Sequence, residues 1–178
     1  DPFEMHIRDN HDRDAARPDH VTYTKATFVR RLADLLQRAE SEPAHAAELT
    51  VEAANAFYNI TYYGNSRAMY MTPGGHFVRS PRVYDCSRAE AMYRRATERA
   101  TDRELKARAV FMAAKCELNA YHASDEDRSK GDFVAGRWFA TLRRDYSDTA
   151  YYREVVHECG YFKTFVEKSA APTSAPHR

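Results

Sequence analysis

Residues 104–121, ELKARAVFMAAKCELNAY, decide the fold. Read at helical spacing, Leu105, Ala109, Met112, Ala113 and Cys116 share one face, while Val110, Phe111, Ala114, Leu118 and Tyr121 share another. A helix apolar on two faces is stable in water only between two other helices, so the stretch predicts a helical array. One narrow polar stripe, Glu104, Arg108, Lys115 and Asn119, is left for solvent or a ligand.

The flanking sequence supplies the neighbours. Upstream, residues 24–40 carry the stripe Phe28, Leu32, Leu35, Leu36 and Ala39, and Pro43 suits the first turn of a second helix running to Tyr63, where Gly64 offers a left-handed stop. Ser87 with Glu90, and Thr101 with Glu104, read as capping boxes for a third and a fourth helix. Downstream, Ala135, Trp138, Phe139, Leu142 and Tyr146 mark a fifth helix. Ser147, Asp148 and Thr149 offer caps for a sixth, lined by Tyr152, Val155, Val156, Cys159, Phe162 and Val166 and weakened by Gly160. The expected fold is all-α: antiparallel helical hairpins stacked as a short array of about six helices. Residues 1–21 read as an extended polar arm without apolar period, 22–167 as the helical domain and 168–178 as a disordered tail.

Composition narrows the classes of function. The 178 residues suit one domain with a real core, and a net charge of +1 gives little long-range attraction to nucleic acid or anionic lipid. No stretch approaches the roughly 20 apolar residues of a membrane span. Cys86, Cys116 and Cys159 have neither disulfide nor zinc spacing, and Cys116 and Cys159 fall on apolar faces as small buried hydrophobes. The chain begins with Asp1 rather than Met, which leads us to expect a preceding segment and leaves the compartment open.

A spacing recurs. Ala89, Tyr93 and Ala96 of the third helix match Ala135, Phe139 and Leu142 of the fifth, and Ala54-Asn55-x-x-Tyr58 corresponds to Met112-Ala113-x-x-Cys116. This suggests one helix-loop-helix unit used twice with different inserts, residues 64–85 and 122–132. With the junction WFATLRRDYSDTAYYREV, residues 44–166 resemble the tetratricopeptide-like repeats, departing from them in their long inserts. YNITYYGNS, FMAAKCELN and ECGYF also look like the C-terminal region of large uncharacterised bacterial helical-repeat proteins. The resemblance implies that the second and fourth helices line a concave face.

Signatures of catalysis are missing. Nothing marks a nucleophile beside a base or a glycine-rich phosphate loop, so neither an enzyme nor a cofactor is expected. Most carboxylates alternate with Arg or Lys on helix surfaces, as ion pairs do. The arm residues His6, Asp9, His11, Asp12, Asp14, Asp19 and His20 are competent metal ligands in no established spacing, which makes a metal-binding role the alternative reading. A nucleic-acid role would need Tyr23, Arg30, Arg31, Arg137, Arg143 and Arg144 to converge on one face.

The favoured site is a groove. Glu48, Glu52, Asn55 and Asn59 form a polar strip along the second helix that ends against Tyr62 and Tyr63, and Arg108, Lys115 and Asn119 of the fourth helix face the same side in a tetratricopeptide-like stack. Asn side chains hydrogen-bond an extended peptide backbone, and Lys or Arg holds a carboxylate. Tyr70, Met71, Phe77 and Tyr84 of the first insert serve as a lid over the core or as an adhesive surface. The sequence therefore points to a non-catalytic interaction or scaffold module that uses Asn55, Asn59, Tyr62, Tyr63, Tyr70, Phe77, Arg108, Lys115 and Asn119 to hold another protein, a peptide or the rest of a larger complex.

Overall fold

The computed structural model describes residues 1–8, 23–66, 69, 80–123 and 136–170. Among the described residues the regular structure is entirely helical: α1 (Lys25–Ser41), α2 (Ala46–Asn59), α3 (Ser87–Arg99), α4 (Arg103–Ala123), α5 (Arg137–Tyr146), α6 (Ala150–Glu158) and α7 (Gly160–Ala170). Packing follows chain order from α1 to α5, each helix lying against the next; α7 lies against α6 and also reaches α5.

The two-faced helix is the centre of this arrangement. Ala107, Ala109, Val110, Phe111, Met112, Ala113, Ala114, Cys116 and Leu118 of α4 are all buried, and α4 packs against α3, α5, α6 and α2. The larger of two cores runs from α2 through α7 around Tyr58, Tyr93, Phe111, Phe139 and Phe162. The smaller joins α1 to α2 through Phe28, Leu35, Ala39, Leu49, Ala53 and Ala56, with Phe3 of the N-terminal segment inserted among them.

Carboxylates of α4 also fasten its neighbours. Glu104 accepts the N–H groups of Ala150 and Tyr151 at 2.7 and 3.0 Å, and Glu117 accepts those of Arg137 and Trp138 at 3.3 and 3.2 Å. The orphan donors that open α6 and α5 are therefore satisfied from another helix rather than only locally. Thr149 adds a local cap to α6 by accepting from Tyr152 N–H at 3.1 Å.

Several expectations about helix ends are corrected. Neither capping box forms: α3 opens with the Ser87 N–H on Asp85, and α4 opens with the Glu104 and Leu105 N–H groups on Asp102. Asp at these places accepts from the first free N–H groups more strongly than Ser or Thr, which leaves Glu104 for α6. Helix α2 stops at Asn59, short of Tyr63, and Gly64 is required for close approach rather than for a left-handed turn, since a Cβ there would collide with the backbone of Asn59. The expected sixth helix is two helices. Cys159 is extended, with φ −105° and ψ 105°, and the change of direction lets Phe162 and Phe165 meet Phe139 at ring-centroid distances of 5.2 and 5.7 Å. Gly160 is open to solvent, so its part is low helix propensity at the break. No helix among the described residues is long and apolar enough to cross a membrane.

Candidate functional site: the groove between α2 and α4

Asn55 and Asn59 stand one turn apart on α2, and Lys115 and Asn119 stand one turn apart on α4, so each pair shares a face of its helix. Buried phenols tie the two faces together. Asn119 donates through Nδ2 to the Tyr58 hydroxyl at 2.9 Å, Tyr63 donates to the Asn119 carbonyl at 3.1 Å, and the Lys115 ammonium lies 5.1 Å from the Tyr58 ring centre. All four polar side chains are buried, Lys115 to 5% residual exposure.

Their counterpart is the chain's own beginning. Residues 1–8 lie in this groove with their carbonyls turned to it: Asn55 Nδ2 donates to Phe3 O at 2.9 Å, Asn59 Nδ2 donates to Pro2 O at 3.0 Å and Glu4 O at 2.8 Å, and Lys115 Nζ donates to His6 O and Ile7 O at 2.9 and 3.0 Å. Asn65 adds a bond to Asp1 O at 3.2 Å. Within the segment, Phe3 N–H donates to Asp1 Oδ1 and Glu4 N–H to Asp1 O, so residues 1–4 form a turn that meets these two donors locally and leaves the Pro2, Phe3 and Glu4 carbonyls to the groove.

The Asn55 amide is oriented by what lies beneath it. Tyr93 donates through its hydroxyl to Asn55 Oδ1 at 2.8 Å, which leaves Nδ2 to face Phe3. Burial pushes the Tyr93 phenol far above its ordinary value, so it stays a donor across the working range of pH.

From Phe3 onward the side chains of the segment alternate between core and solvent. Pro2 and Phe3 are buried, Glu4, His6 and Arg8 are exposed, and Met5 and Ile7 are half-buried against the larger core. Phe3 packs on Tyr23 and Phe28 at centroid distances of 5.2 and 5.4 Å. Met5 accepts a hydrogen bond from the buried Tyr151 hydroxyl, with Sδ at 3.3 Å, and Arg8 pairs with Glu158 at 2.7 Å. Residues 1–8 thus lie docked where the sequence suggested a polar arm without period; the period of two in Phe3, Met5 and Ile7 is the signal that marks them.

The remaining expected site residues divide. Tyr63 is buried beneath the groove, and Tyr62 is half-buried, edge-on to Tyr63 at 5.5 Å and beside Tyr84 at 4.9 Å. Arg108 is exposed at the rim, its guanidinium 5.4 Å from the Tyr151 ring centre. Tyr70, Met71 and Phe77 lie outside the described residues; the insert's ends are held by Tyr62 N–H on Val83 O and Ser66 N–H on Asn59 O. The acidic half of the strip turns elsewhere, since Glu52 pairs with Arg31 of α1 at 3.0 Å. Sequence reasoning missed Asn65, Tyr93, Tyr151 and Glu158, which no local pattern distinguishes from surface or core residues.

Of the arm's expected metal ligands only His6 falls among the described residues, where Nε2 lies 2.9 Å from Asn65 Nδ2; the others lie outside them. No group of three His, Cys, Asp or Glu able to hold a metal is present among the described residues. Cys86 and Cys116 are buried, Cys159 is half-buried and none of the three is in a disulfide, and burial raises the Cys116 thiol well above its ordinary value. The arginines weighed for nucleic acid sit on α1 and α5, which pack on different helices, and Arg31, Arg137 and Arg144 each meet a carboxylate. Neither a family model, nor a curated protein, nor a solved structure matches the chain.

Proposed function

We propose that the chain is a non-catalytic interaction module, a tetratricopeptide-like array whose first helices α2 and α4 form a concave groove that grips a peptide segment by its main-chain carbonyls. The observation that carries this reading is the set of bonds from Asn55, Asn59 and Lys115 to the carbonyls of Pro2, Phe3, Glu4, His6 and Ile7. Carbonyls are common to every peptide, so such donors set direction and register, while adjoining apolar pockets choose among side chains. The occupant is here supplied in cis. A general base, a nucleophile or a metal is not needed for this role.

The module is tested by screening synthetic peptides against the full chain and against the variant carrying Asn59→Ala and Lys115→Ala, with circular dichroism to verify that both are folded. Binding that weakens at least about tenfold in the variant supports the groove. Peptides that bind both proteins equally would move the function to another surface.

A further inference from the structure

We infer that residues 1–8 are an exchangeable occupant, and that the groove's partner in trans is a segment that opens with a turn and has the same side-chain order: proline, aromatic, an outward residue, a thioether or aliphatic, an outward residue, an aliphatic, then a basic residue. This rests on the groove reading above and names its ligand.

Three observations carry the exchange. The bonds from Asn55, Asn59 and Lys115 end on main-chain carbonyls, so another segment that opens with the same turn as Asp1 to Glu4 presents the same acceptors. The net contribution of each such bond is no larger than the conformational entropy lost in ordering a residue, so the polar contacts do not hold the segment by themselves. Occupancy then depends on the anchors: Phe3 against Tyr23 and Phe28, Met5 under the Tyr151 hydroxyl, and Arg8 on Glu158. These anchors define a pattern that a foreign segment can match, and Glu4, which is exposed, leaves that outward position free to vary.

The groove also favours replacement over emptiness. Lys115 is buried beside the rings of Tyr58 and Phe111, at 5.1 and 5.9 Å. Removing the His6 and Ile7 carbonyls without substitute would cost this ammonium two of its acceptors in a poorly hydrated place. A partner that brings its own carbonyls restores them. The cis segment is covalently tethered, which gives it a local concentration on the order of millimolar, and a free ligand must overcome that advantage. Residues 1–8 therefore act as a competitive internal ligand that sets the threshold for partner binding.

The probe is the peptide DPFEMHIR, acetylated at its start and fluorescently labelled at its end, titrated by anisotropy into the full chain and into full chains carrying Phe3→Asp or, separately, Met5→Asp. Both arm variants are expected to bind the probe at least about tenfold more tightly than the unaltered chain. Adding Asn59→Ala and Lys115→Ala to either should abolish the gain, as should Phe→Asp in the probe, whereas Ala at the probe's Glu position should not. The idea is overturned if arm variants that keep their helical spectrum and cooperative melting bind the probe no better than the unaltered chain. Where that happens while nuclear Overhauser contacts place Met5 on Tyr151 in the unaltered chain, exchange fails and the groove reading stands; where those contacts are missing too, both fall.

Discussion

Asn55 meets two requirements at once: its oxygen satisfies a buried tyrosine and its nitrogen holds the main chain above it. Truncation to Ala leaves the Tyr93 hydroxyl without this acceptor in the core, and Asn55→Ala should lower stability by about 2–3 kcal/mol, read as an earlier urea midpoint with unchanged slope. Arg108→Ala, at an exposed rim position, should stay within about 0.5 kcal/mol. If both variants melt alike, the division between groove floor and rim is wrong. Lys115→Met keeps the aliphatic stem but loses the donors to His6 and Ile7, so Met5 should oxidise several-fold faster in dilute peroxide, while Met112, 1% exposed, should not change. Mass spectrometry of the two methionines reads this directly. The Asn and Lys positions stood out in the sequence because they recur as polar stripes on otherwise apolar helices. Tyr93 and Tyr151 did not, since an aromatic residue at helical spacing looks the same whether its hydroxyl meets an amide or a thioether or makes no such contact.

At the level of elements, α4 positions its neighbours through carboxylates as well as packing. The Glu104 carboxyl is held below its ordinary range chiefly by the backbone N–H groups of Tyr151 and Ala150. A depressed folded pKa contributes stability above the ordinary value, about 4.3, and loses it as pH falls through the lower folded value. Glu104→Gln should therefore melt below the unaltered chain at pH 7, and the difference should shrink on acidification through the carboxylate range. Equal melting temperatures at pH 7 would show that this cap is idle. The two-faced character of α4 was readable from residues 104–121 alone, because periodicity is local. The cross-helix caps were not, because a Glu in a first turn fits a local capping box as well as it fits the start of a distant helix. The split between α6 and α7 was foreshadowed by Gly160, but its reason, the meeting of Phe162 and Phe165 with Phe139, is tertiary.

For the whole molecule, residues 1–8 connect both cores: Phe3 enters the α1–α2 cluster, and Met5 and Ile7 lie on the larger one. Replacing a fully buried Phe by Ala usually costs about 3–5 kcal/mol. Here the loss is limited by the free energy of docking, since the segment can leave while the helices remain. Phe3→Ala and Lys115→Met should accordingly be non-additive, their combination costing at least about 1 kcal/mol less than the sum of the single variants; strict additivity in urea titrations would argue that the two do not act through one docked segment. The central claim is that the α2 and α4 groove holds residues 1–8. Nuclear Overhauser spectroscopy on the full chain with labelled methionine methyls and aromatic rings tests it most directly. The account predicts cross-peaks from Met5 to Tyr151 and from Phe3 to Phe28. Their absence, with random-coil shifts along residues 1–8, would contradict it.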